Sequence, residues 1–188
     1  MFLIIGLGNP GEQFQNTRHN IGRETVIAFQ KHARLCEWMH EKKYRAQLSE
    51  GTIGKEKIII AIPDTLMNAS GHAVAPLVKA LKVKPVNLIV IHDDADLVFG
   101  AGKMSFGKRS AGHKGVESVI RALATRDFWR IRIGIGDQRN TPAEKLVLRK
   151  FKPQELRLVK RITQHAISAL ELITAEGPRR AMTEYNKK

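Results

Sequence analysis

The segment IIGLGNPGEQFQNTRHN, residues 4–20, decides how this chain is read. Gly6, Gly8 and Gly11 fit the G-x-G-x-x-G spacing of a dinucleotide-binding turn, in which the third glycine opens a helix whose N-terminal amides hold a pyrophosphate. Here Pro10 precedes that glycine, and GEQFQNTRHN offers no apolar stripe for a helix to pack. Glu24, near the spacing of a ribose-binding acid, falls inside the expected first helix. The context argues against a dinucleotide. What remains is a buried strand, residues 2–7, ending in a polar loop that carries Asn9, Arg18, His19 and Asn20.

Working outward, short apolar runs alternate with longer amphipathic ones, the pattern of an α/β domain. Residues 21–35 read as a helix with Ile21, Val26, Phe29 and Ala33 inward, and residues 44–50 and 57–62 as strands joined by GTIGKE. That connection is too short for a crossover, so the pair is an antiparallel hairpin and the sheet is mixed. Helices are expected at 70–81, 115–124 and 153–175, and strands at 87–92, 103–106 and 130–135. At 188 residues and 43% hydrophobic, one core is expected and no second domain. No apolar run is long enough to cross a bilayer and no signal peptide is seen, so an intracellular, soluble protein is expected. Cys36 is read as a packing residue.

Charge narrows the partners. Thirty-two Lys and Arg against 18 Asp and Glu give a net +14, and the pI is about 10.2. A polyanion is the expected ligand, against the plainer reading of a solvated basic surface.

Four polar loops follow strands or precede helices: the one just quoted, LMNASG (66–71), HDDADL (92–97) and SAGHKG (110–115). Loops at strand C-termini build the sites of α/β sheets. A His and an Asp meeting there suit general-base hydrolysis, because the carboxylate fixes the imidazole tautomer and stabilises the imidazolium. His19 and Asp93 are the candidate pair, and Asn9 and Asn68 can position water or donate to an oxyanion. Without a G-x-S-x-G elbow or a well-placed cysteine, direct attack by water is preferred to a covalent intermediate. Each residue has a duller role: Asn68 as an N-cap, Met67 as core, His113 as packing. The acidic cluster is a poor metal site, since His92 and Asp93 point to opposite faces of an extended strand; no metal is expected.

Taken together with FWRIRIGIG (128–136), VLRKF (147–151) and AMTEYN (181–186), these motifs stand in the order found in the bacterial-type peptidyl-tRNA hydrolase family, which the chain resembles over nearly its whole length. The resemblance implies a single-domain α/β fold over residues 1–188, a twisted mixed β-sheet flanked by helices on both faces, with a basic C-terminal tail at about 177–188. It implies a cytoplasmic monomer without cofactor that cuts the ester between a peptide and the 3′-terminal ribose of tRNA. By the same resemblance His19 is the base and Asp93 its orienting partner. Asn9, Phe14, Met67, Asn68 and Lys114 contact the peptidyl end, and Lys103 and Arg132 meet the tRNA acceptor stem. The chain departs from the family pattern at Lys114, where asparagine is usual, at Phe14, where tyrosine is, and at Asp137 and Gln138 after GIG. Lysine donates but cannot accept, so it cannot replace an amide acceptor. The second function considered is a non-catalytic RNA-binding module on the same fold.

Overall fold

The computed structural model describes residues 1–137 and 141–187. Among these residues seven strands form one sheet in the order β2-β3-β4-β1-β5-β7-β6, with β1 at Phe2–Gly6, β2 at Met39–Glu41, β3 at Ala46–Ile53, β4 at Glu56–Pro63, β5 at Leu88–Val98, β6 at Gly102–Phe106 and β7 at Trp129–Gly136. The four central strands β4, β1, β5 and β7 run parallel, and β2, β3 and β6 add antiparallel margins. The sheet is therefore mixed, as the short hairpin connection demanded.

Helices cover both faces, and the strands feed them alternately. Phe2 and Ile4 of β1 join the core under α1 (Ile21–His32), α5 (Leu156–Glu176) and α6 (Pro178–Tyr185), while Leu3 and Ile5 join the core under α2 (Gly71–Ala80) and α3 (Lys114–Leu123). A strand buried on both sides has no polar phase, which is why β1 reads as a continuous apolar run. A short helix, α4 (Ala143–Leu146), follows β7. Among the described residues no helix is long and apolar enough to cross a membrane.

Three differences from the sequence reading have physical causes. β5 continues past His92 to Val98 because β7 pairs with it there, through His92 with Arg132, Asp93 with Ile133 and Asp94 with Gly134, before the register shifts. The acidic residues thus stand on a strand and not in a loop. Helix α1 ends at His32, where Arg34 takes φ 52° and the Gln30 amide donates to the carbonyls of Leu35 and Cys36. Cys36 is exposed and not a packing residue; it is held by its backbone, which bonds Glu50 and Gln30. Beyond Gly177 the chain forms α6, with Ala181 and Tyr185 buried. The Asn186 amide exchanges two hydrogen bonds with the Met104 backbone, at 2.8 and 2.9 Å. The end of the chain thereby caps the outer edge of β6, where backbone groups lack a strand partner.

Candidate active site

Gly6 and Gly8 of the opening segment serve helix packing. A Cβ at Gly6 would lie 2.6 Å from the Gly22 carbonyl oxygen of α1, and one at Gly22 would collide with the Ile91 carbonyl of β5. Their absence lets α1 lie directly on β1 and β5. The residues just before α1, Arg18 to Asn20, are thereby set at the C-terminal ends of those two strands. No helix begins at Gly11; a single 3₁₀ turn over Glu12–Phe14 follows it.

His19 and Asp93 meet there. His19 Nδ1 lies 2.8 Å from Asp93 Oδ1, and His113 Nε2 lies 2.9 Å from the same oxygen. His113 caps α3: its Nδ1 accepts from the backbone N–H of Gly115 at 3.1 Å and of Val116 at 3.2 Å. That capping fixes the tautomer, so Nε2 of His113 carries the proton and donates to Asp93. His19 likewise donates through Nδ1, which leaves its Nε2 with an unshared pair for a proton. Burial pushes the Asp93 carboxyl up, but His113 and His19, by charge and by hydrogen bond, outweigh it and hold the group well below the usual carboxylate range. Asp93 is an anion at neutral pH.

The histidine is braced from behind. Its backbone N–H donates to the Val147 carbonyl at 2.9 Å, and that of Arg18 to the Arg149 carbonyl at 3.0 Å. The Arg18 guanidinium lies 5.1 and 5.0 Å from the ring centres of Phe99 and Phe151 and bonds Glu155 at 2.6 Å. The buried cation rests against a stacked pair of aromatic rings and is anchored at one end by a carboxylate.

Asn9 is clamped as firmly. Its backbone exchanges hydrogen bonds with the Asn20 amide at 2.8 and 2.9 Å, and its Oδ1 accepts from the Met67 N–H at 2.8 Å. The acceptor end of the Asn9 amide is thus occupied, and Nδ2 is the group left to donate. Asn9, Phe14, His19, Met67, Asn68 and Lys114 all line one cavity of about 350 Å³, with Asp93 at its floor. Asn68 is no N-cap: it sits within the 3₁₀ turn Met67–Ala69, is exposed, and makes no side-chain hydrogen bond among the described residues.

Lys103 and Arg132 are cross-strand neighbours on β6 and β7, outside the cavity. Lys103 is exposed, whereas Arg132 is ion-paired with Asp94 at 2.5 Å. Asp137 accepts from the Thr141 backbone and hydroxyl, and Gln138 lies outside the described residues. Three residues escaped the sequence reading of the site: His113 as a second partner of Asp93, Asn20 as the clamp on Asn9, and Asp94 as a partner of Arg132. The one available signal was a histidine directly before a helix, a capping position usually filled by Ser, Thr, Asp or Asn.

The nearest nitrogens and oxygens of His19, Asp93 and His113 lie within 4.8 Å of one another, a donor set that could hold a metal. Here those atoms are spent on each other, and the amides on His113 Nδ1 keep a proton on the nitrogen a metal would need. The trio is better fitted to move a proton than to ligate an ion.

A sequence model of the family described as Peptidyl-tRNA hydrolase matches residues 3–188. The peptidyl-tRNA hydrolase of Mycobacterium tuberculosis is 42% identical over 178 residues, covering 93% of this chain and 92% of that protein. That of Alkaliphilus metalliredigens is 38% identical over 186 residues, covering 99% and 100%. The crystal structure of peptidyl-tRNA hydrolase from Acinetobacter baumannii superposes with a TM-score of 0.92 at 29% identity, covering 100% of this chain and 95% of that one.

Proposed function

The chain belongs to the peptidyl-tRNA hydrolase family and hydrolyses the ester that joins a peptide to tRNA, and we propose that it does so with a water activated by His19. The observation that carries this assignment is the 2.8 Å contact between His19 Nδ1 and the Asp93 carboxylate at the floor of the cavity. With Nδ1–H committed to Asp93, Nε2 takes a proton from water as the resulting hydroxide adds to the ester carbonyl carbon. The imidazolium is stabilised by the anionic Asp93, itself held in place by His113. Asn9 Nδ2 and the Asn68 amide are the donors available to the tetrahedral oxyanion. Its collapse expels the 3′-oxygen of the terminal ribose, which recovers the proton from His19. The products are the peptide acid and tRNA with a free hydroxyl.

Phe14 and Met67 provide apolar wall for the peptide, and the amides of Asn9 and Asn68 match an N-acylated residue better than the charged ammonium of an ordinary aminoacyl ester. Lys103, exposed, and Arg132 beside it are the basic groups that meet the acceptor stem. Arg132 reaches it at the cost of sharing its charge with Asp94. The protein acts in the cytoplasm as a monomer, as a single domain over residues 1–188, with no metal or cofactor in the reaction. The non-catalytic RNA-binding alternative has no observation in its favour, since a buried and pre-aligned His–Asp pair is not needed to bind RNA. The test is turnover of an N-acetylated aminoacyl-tRNA. Release of free tRNA by the purified protein is expected; tight binding without release would leave only the binding module.

A further inference from the structure

Lys114 begins α3 and Glu144 lies in α4. Their side chains meet at 3.1 Å, Nζ to Oε1, and both residues line the catalytic cavity. The pair joins two walls with separate duties. One wall carries His113, directly before Lys114; the other continues from α4 to Val147, whose carbonyl holds the His19 backbone. Both side chains are mostly exposed, at 66% and 80%. An ion pair so placed is weak and readily exchanged.

Lys114 also faces a second groove, of about 670 Å³, whose walls include His72, Ser110, Ser118 and Arg121. This groove shares Asn68, Gly112 and Lys114 with the catalytic cavity, so the two adjoin. Its carboxylate, Glu117, is already engaged by Arg121 at 3.1 Å and by the Ser110 hydroxyl. With that charge matched within the groove, Lys114 becomes its unmatched cation once Glu144, which lies outside the groove, is displaced. The groove has hydroxyls and cations suited to a phosphodiester.

We propose that Lys114 exchanges Glu144 for a phosphate of the substrate RNA: in the free enzyme the carboxylate occupies the lysine, and the arriving polyanion displaces it. The proposal rests on the assignment of the cavity to peptidyl-tRNA. It makes Glu144 a competitor of the substrate for the same cation, so that the two residues of one pair have opposite effects on KM. A pair that merely braced the rim would give both residues the same effect.

The test is steady-state hydrolysis of N-acetyl-aminoacyl-tRNA and of the phosphate-free ester N-acetyl-aminoacyl-adenosine. Glu144→Gln is expected to lower KM for the tRNA ester about threefold and to leave KM for the adenosine ester unmoved. Lys114→Gln is expected to raise KM for the tRNA ester about fivefold, and the plot of log KM against log salt should lose about one unit of slope. The exchanged pair, Lys114→Glu with Glu144→Lys, keeps the bridge but should keep the high KM. The proposal is overturned if the exchanged pair restores the wild-type KM, if Glu144→Gln improves both esters alike, which would point to the peptide end, or if it improves neither. Failure of the wild-type protein to cleave either ester would overturn the functional reading itself; cleavage without these shifts overturns only the exchange.

Discussion

At the floor of the cavity Asp93 holds His19 and His113, and Asn9 is held from outside it by Asn20, through hydrogen bonds of 2.8 to 2.9 Å. At its rim Leu66 and Leu148 are 56% and 57% exposed, Asn68 is exposed, and Lys114 and Glu144 share a solvated ion pair. The two regions face different physical tasks. Proton transfer needs nitrogen, carboxylate and water aligned within a fraction of an ångström, which only mutually bonded, buried groups provide. Admission of a polymer needs walls that yield at little cost, which solvated side chains provide. The difference also sets what substitution can do: a change at the floor removes chemistry and stability together, while a change at the rim acts on the substrate and leaves stability in place.

His19→Ala is expected to have the largest effect, a loss of about 10⁴-fold in kcat, with tRNA binding measured by filter retention nearly unchanged. Full activity in that variant would end the assignment of the base. Asp93→Asn follows at about 10³-fold. The asparagine amide can donate where the carboxylate only accepts, so His19 is no longer held with its proton on Nδ1. A wild-type kcat in Asp93→Asn would show that the 2.8 Å contact is structural only.

Asn20→Ala and Asn68→Ala compare the two regions on like chemistry. Asn20 reaches no substrate in the proposed mechanism, yet its removal breaks two buried hydrogen bonds to Asn9. A loss of about 2 kcal/mol in folding stability and a tenfold fall in kcat are expected. Asn68→Ala should instead leave the melting temperature in place and lose several-fold in kcat/KM, as expected for an exposed donor to the substrate. Equal melting temperatures for the two variants would erase the distinction between floor and rim.

Most of the floor was legible in the sequence because it follows from local rules. Continuous apolar runs specify parallel central strands, polar residues at their ends specify a site, and the failed context of the glycine triplet removed the nucleotide reading. The role of His113 was not legible. Its position before α3 is a local fact, but its bond to Asp93 depends on how α3 docks beside β5, and no spacing encodes that. The continuation of β5 through Asp93 to Val98 escaped for a related reason: HDDADLV has no strand pattern of its own and is held extended by β7. The three-residue strand β2, with Met39 and His40 exposed, carries too little burial to mark a periodicity. Helix α6 gave a basic, polar sequence in which only Ala181 and Tyr185 are buried. In each case a distant partner overrides or supplies what the local sequence lacks.

The smallest effect is expected beneath the floor. His92 projects to the other face of β5 from Asp93, donates from Nδ1 to the Asp93 carbonyl at 2.6 Å, and packs edge-on against His113 with ring centres 4.6 Å apart. Burial, then the neighbouring His113, push its pKa well below the ordinary histidine value; Asp93 pulls the other way, and Arg130 adds a lesser downward push. Above about pH 6.5 the imidazole is neutral in both folded and unfolded chains. Below that, the unfolded chain binds a proton that folded His92 does not, so stability falls by up to about 1.4 kcal/mol per pH unit. Asp93 has the other window: its depressed pKa contributes stability that is complete above about pH 4 and is lost only as pH drops further. His92→Asn keeps a donor for the Asp93 carbonyl and removes the titration. The fall in melting temperature between pH 7 and pH 5 should therefore shrink in the variant, while the steeper loss below pH 4 remains. An unchanged pH 7 to 5 difference would assign the acid sensitivity elsewhere and leave His92 as a packing residue under the catalytic floor.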